Sequence, residues 1–145
     1  MQRTARTLLQ ILMLPLRAAA VLIGGAILLG GPTWTAGITE GLFNLVTGGR
    51  DLTAPFTSTT DSELRFYAPF WISWGGLVIW TALDLRRRLT WTPPLAALFL
   101  AGGAGRLISY VEVGPPHGAF VLLIAIELLL PLVMLGLWLA ARRWG

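Results

Sequence analysis

Apolar residues dominate four stretches of this chain, Leu16 to Trp34, Arg65 to Leu85, Pro94 to Glu112 and Ala119 to Ala141, and polar positions crowd into the segments between them. Each stretch approaches the ~20 helical residues, at roughly 1.5 Å rise per residue, that a hydrocarbon core requires. The pattern predicts four transmembrane helices. A barrel is excluded, because its strands would need an alternation of apolar and polar positions that is absent here. The first span admits two registers. One begins at Leu8 and buries Arg17; the other, preferred here, lets Arg17 snorkel, sets Trp34 in the opposite aromatic belt and leaves residues 4–16, with Pro15, as an amphipathic lead-in. The apolar run continues to Gly31, which argues against a cleaved signal peptide even though MQRTAR resembles an n-region.

Between the first two spans lies the one long loop. Within it GITEGLFNLV sets Ile38, Leu42, Phe43 and Val46 on one helical stripe, predicting a short amphipathic helix on the membrane surface. Residues 48–60 are rich in Gly, Thr, Ser and Pro and read as irregular chain. Thr60 and Glu63 form a T-x-x-E capping box that would open the second span, and Thr92-Pro93-Pro94 opens the third. The predicted fold class is all-α: an integral membrane four-helix bundle, one domain over residues 1–145.

Composition agrees with a bilayer solvent. The chain is 55% hydrophobic, with a mean hydropathy of +0.71, above the ordinary range of soluble domains. It has no cysteine and one histidine, His117, which removes thiolate chemistry and leaves too few ligands for a closed metal site. No metal, cofactor or catalytic constellation is read, and no nucleic-acid-binding motif. The net charge of +4 is carried by arginine alone, clustered at segment ends where it suits anionic lipid headgroups. Arg3, Arg6, Arg86, Arg87, Arg88, Arg142 and Arg143 fall on one side of the predicted spans, against Arg50 and Arg65 on the other. That bias predicts both termini in the cytoplasm and a multi-pass protein of the bacterial inner membrane.

Two charges fall inside spans. Arg106 lies about 9 Å from the end of its span and Glu127 about 12 Å from the same side, at roughly 1.5 Å per residue. The short turn GPPHG makes the two spans antiparallel neighbours, so an Arg106–Glu127 ion pair is expected. Gly102, Gly103 and Gly105 would admit a close helix neighbour or open space beside Arg106, and Ser109 would add a hydroxyl one turn on. Pro131 leaves the Glu127 carbonyl without its helical donor. Arg65 would join this group from the second span, with Tyr67 and Trp71 below it, in a cavity polar at its mouth and aromatic beneath. Arg65, Arg106, Ser109, Glu127, Tyr67 and Trp71 are therefore the candidate ligand-binding residues, and Gly102, Gly103, Gly105 and Pro131 the candidate helix-packing ones.

The stretches ELRFYAPFWISWGGL, LAGGAGRLISYVEVGPPHG and ELLLP resemble a family of small four-span bacterial membrane proteins catalogued as a domain of unknown function. The likeness covers roughly residues 16–140, and its most specific part is the GRLIS stretch with the following Gly-Pro. Carried over, the family's recurrent polar positions fall on Arg65, Arg106, Ser109, Gly114, Pro115 and Glu127. Pro69 departs from the pattern, where a small residue is expected, and bears on the shape of the second span. A looser likeness to DoxX-like four-helix membrane proteins rests on architecture alone.

The resemblance implies fold and site but no reaction. Three functions compete. The first is a non-enzymatic accessory subunit packing its glycine and aromatic faces against a larger membrane complex. The second is a protein or enzyme that binds a lipid-like or isoprenoid molecule through Arg106 and Glu127. The third is a small transporter, which one pair of intramembrane charges without broken-helix repeats does not favour. The expected partners are membrane lipids, a larger membrane complex and a small hydrophobic ligand.

Overall fold

A computed structural model describes residues 2–47 and 57–142 of the chain. Among these residues the protein is entirely helical, and four helices are long and apolar enough to cross a membrane. In chain order they are α1 (Gln2–Gly30), α3 (Ser58–Leu83), α5 (Thr92–Val113) and α6 (Gly118–Arg142), with α2 (Pro32–Thr47) after the first and a single turn, α4 (Leu85–Arg88), before a 3-10 turn at Leu89–Trp91. An even number of crossings returns the chain to the side from which it starts. Residues 2–7, Arg86–Arg88 and Arg142 therefore share one end of the bundle, the arginine-rich end, and α2, Arg65 and the turn 114–117 share the other.

The caps explain where each helix stops. Gly31 has a φ of +84°, a conformation that side-chain-bearing residues seldom adopt, and its N–H bonds the Ile27 carbonyl at 3.0 Å. Pro32, whose missing N–H costs nothing in a first turn, then starts α2. The lead-in at residues 4–16 and the first span are one unbroken helix that carries Pro15 in its interior. It ends before Trp34, which belongs to α2. That shifts the span bounds drawn from hydropathy, because a proline deep in an apolar helix bends it more readily than it ends it. Of the predicted stripe on α2, Ile38 and Leu42 are exposed, while the side chains of Phe43 and Val46 lie outside the described residues.

The second span also starts earlier than the capping box implied. Its N-cap is Thr57, extended at φ −64° and ψ 158°, whose Oγ1 accepts from the Thr60 N–H at 3.2 Å. Thr60 thus occupies the first turn instead of preceding it, and Asp61 beside it complements the helix dipole. The remaining residues predicted as irregular chain, 48–56, lie outside the described residues. Pro69 is accommodated inside a continuous α3. At the start of α6 the His117 imidazole does the work of a cap, its Nδ1 accepting from the Ala119 N–H at 3.2 Å.

Packing is uneven around the bundle. Helix α1 lies between α3 and α6, and α5 lies against α6, whereas α3 and α5 touch over a short length. Small residues set the α1–α3 seam: a side chain on Gly24 would meet Ile72 at 2.8 Å, and one on Gly75 would meet Val21 at 2.9 Å. The largest buried cluster joins Leu9, Met13 and Leu16 of α1 to Val78 and Trp74 of α3, Leu95 and Phe99 of α5 and Met134 of α6. These positions all fall in the half nearer the arginine-rich end. In the other half the seam between α3 and α5 is open.

Candidate functional site

Helices α3 and α5 are held together by aromatic side chains. The Trp74 indole N–H donates to the Leu95 carbonyl at 3.2 Å, and its ring stacks on Phe99 with centroids 5.1 Å apart. Trp71 meets Trp74 edge to face. Alongside this clamp runs a groove of about 400 Å³, with Tyr67, Phe70, Trp71, Trp74 and Leu77 on one wall and Leu98, Phe99 and Gly102 on the other. The aromatic spacing along α3, at positions 67, 70, 71 and 74, keeps these rings on one side of the helix. Gly102 faces the opening without a neighbour: a Cβ there would meet nothing within 4 Å.

One turn along α5 from Gly102 stands Arg106. Its Nε donates to Glu127 Oε2 at 2.9 Å, and the side chains are 34% and 4% exposed respectively. The pair is therefore asymmetric. The carboxylate is enclosed between α5 and α6, while the guanidinium is engaged through Nε and its two terminal nitrogens have no protein partner among the described residues. Its carbon also lies 5.5 Å from the centroid of the Phe120 ring, close enough for a cation–π contribution. Gly103 allows this approach: a Cβ on it would fall 2.8 Å from Glu127 Cβ and 3.1 Å from the Glu127 carbonyl oxygen. Pro131, buried four residues after Glu127, removes the N–H that would have bonded that carbonyl.

The other predicted residues are placed differently. Arg65 binds on the α1–α3 seam, through Nε to Asp61 Oδ1 at 2.7 Å and through Nη1 to the Leu28 carbonyl at 2.8 Å. It caps the end of α1, whose last carbonyls carry partial negative charge. Its hydrogen-bonding groups turn toward α1, away from the Arg106–Glu127 pair on the α5–α6 seam. Ser109 is exposed and makes no hydrogen bond to that pair. Gly105, like Gly102, has open space at its Cβ position, so Gly103 alone of the three sits at a helix contact. Phe70, Leu98 and Phe99 were not among the predicted lining residues, and their spacing on apolar helices is the only signal that could have found them. Among the described residues no group of three or more His, Asp or Glu side chains could hold a metal ion.

The model of a family described as a domain of unknown function, DUF4345, matches residues 8–139. The chain belongs to this family. No curated protein and no solved structure matches it. The family region takes in the four membrane-length helices almost whole, and with them the groove, the ion pair and the Arg65 cap. Arg3 and Arg6, on the first turns of α1, precede it. The family's description names no reaction.

Proposed function

We propose that this multi-pass membrane protein binds a membrane-resident amphiphile, its apolar tail in the α3–α5 groove and its polar head at Arg106. The groove carries this reading. At about 400 Å³ it lies in the volume range of small-molecule sites, and its walls are almost wholly aromatic and aliphatic. A molecule entering sideways from the bilayer would need no desolvation of its tail. At the head, Glu127 already neutralises Arg106, so the terminal guanidinium nitrogens favour a neutral acceptor such as a carbonyl or hydroxyl over a full anion. Lipids and isoprenoids with such heads are the ligand class. The role proposed is one of binding.

The accessory-subunit reading rests on a different observation. Gly25, Gly76, Gly105 and Gly136 present open space at their Cβ positions, as small residues awaiting a partner helix do. The arginine bias supports the arginine-rich end lying in the cytoplasm, and with it a bacterial plasma membrane location.

Native mass spectrometry of the detergent-extracted chain tests the binding reading. Gly102→Leu puts a side chain into the groove from a position whose Cβ meets nothing within 4 Å, and Arg106→Ala removes the head contact. Co-purified amphiphile present on the wild type and lost from both variants supports it. Equal retention by all three sinks it.

A further inference from the structure

At the arginine-rich end a second hollow, of about 560 Å³, opens between the first turns of α1 and the turn from α3 into α4. Arg3, Arg6, Thr7 and Gln10 line it from α1, and Asp84 and Arg86 from the turn. Gln10 joins the two walls by donating through Nε2 to the Ala82 carbonyl at 3.1 Å. Three arginines thus line a space whose two walls are joined by a hydrogen bond between helices.

Among the described residues, Arg3, Arg6 and Arg86 form no ion pair, and the Arg6 Nε is buried without a hydrogen-bond partner. The one carboxylate in the wall, Asp84, is turned to another task. It accepts from the Arg87 N–H at 3.4 Å and pairs with the Arg87 Nε at 3.7 Å, capping the single turn of α4. With three arginines against one carboxylate, the hollow keeps an excess of positive charge. A buried guanidinium nitrogen with no acceptor is costly unless something else supplies one.

We propose that this hollow is a binding site for a phosphate group, with Arg6 at its floor and Arg3 and Arg86 closing over the anion. Phosphate offers several acceptor oxygens, enough for one on each guanidinium. The hollow also lies where headgroup phosphates lie, at the end of four membrane-length helices. Exposed Leu8, Ile11 and Leu14 continue along α1 away from it, an apolar surface for acyl chains below a bound headgroup. The site is independent of the groove between α3 and α5 and stands if that one fails.

The test uses the full chain in mild detergent, with phosphatidylglycerol, phosphatidylcholine and inorganic phosphate as separate probes. Lipid retention is read by native mass spectrometry and phosphate binding by calorimetry. Wild type is expected to retain phosphatidylglycerol over phosphatidylcholine. Arg6→Gln and Arg86→Gln should each weaken that retention about fivefold, and the two together about 25-fold, at the strength usual for one basic residue near a lipid surface. Arg3→Gln, at an exposed position with little bearing on folding, should lower it too. Arg142→Gln, at the same end of the bundle but outside the hollow, should leave it unchanged. A response to phosphatidylglycerol alone identifies the lipid as the source of the phosphate. A response to inorganic phosphate as well, weakened by the same substitutions, identifies the free ion as an equal ligand. Equal retention of the two lipids with no phosphate binding overturns the proposal, and so does an equal loss from Arg142→Gln.

Discussion

Arg106 and Glu127 are joined by one hydrogen bond, Nε to Oε2 at 2.9 Å, across the α5–α6 seam, with the carboxylate enclosed and the guanidinium one-third exposed. The enclosed partner is the one that suffers when the bond is broken. Removing it leaves an arginine that can reorient, whereas removing the arginine strands a charge between two helices.

Arg106→Leu and Glu127→Leu should therefore each lower the melting temperature in detergent, and the double substitution should lower it less than the sum. The coupling expected is on the order of 1–3 kcal/mol, below the full cost for a wholly buried pair because the arginine is partly exposed. Strict additivity in a double-mutant cycle of thermal unfolding would show that the two act separately.

Gly103→Ala should destabilise and Gly105→Ala should not. A Cβ at 103 meets the Glu127 backbone carbon at 2.9 Å, which cannot give way as a flexible side chain would; at 105 it meets nothing within 4 Å. The clash is worth about 1–3 kcal/mol, while the change at 105 is neutral or gains up to ~1 kcal/mol of helix propensity. Thermal unfolding of the two variants side by side decides it, and equal melting points would refute the close approach.

Arg65→Gln should loosen the junction of α1 and α2 by about 1 kcal/mol, since the Leu28 carbonyl loses its charged donor and Asp61 its partner. Arg65→Lys should recover part of this, as a point charge that cannot serve both acceptors in the same fork. Hydrogen exchange of the backbone around residues 27–31 is the measurement, with exchange fastest in Arg65→Gln and intermediate in Arg65→Lys the expected result.

Trp74→Phe keeps the ring stacked on Phe99 and deletes the N–H that reaches Leu95. The loss should be about 1 kcal/mol, the usual net worth of one hydrogen bond. Trp74→Ala removes the clamp as well, and cross-linking between cysteines introduced on α3 and α5 should then fall. Unchanged cross-linking would mean that the aromatic contact does not hold the two helices together.

Much of this was legible before any coordinates. The four spans followed from the length of apolar runs, because a bilayer admits little else than a closed helix of that length. The Arg106–Glu127 pairing followed from equal depths on antiparallel neighbours joined by a five-residue turn, Gly114 to Gly118. The short helix after the first span was visible in its apolar stripe.

The placement of Arg65 was not. Its spacing from Asp61 is that of a helical ion pair, but the contact that engages its Nη1 is to a carbonyl 37 residues earlier. Nothing local announces that. Helix starts were misjudged by one turn at Thr57 because two threonines three residues apart can each accept from the backbone, and their dihedral angles choose between them.

The sequence by itself determined the solvent, the number of crossings and the depth of the two intramembrane charges, since each depends on length and polarity along the chain. Only the tertiary structure decided which faces meet. In lipid every face of a helix is apolar, so periodicity does not mark the packed side as it does in water. Whether α3 closes on α5, which glycine touches a neighbour and which arginines converge on one hollow depend on how helices lean against each other, through atoms far apart in the chain.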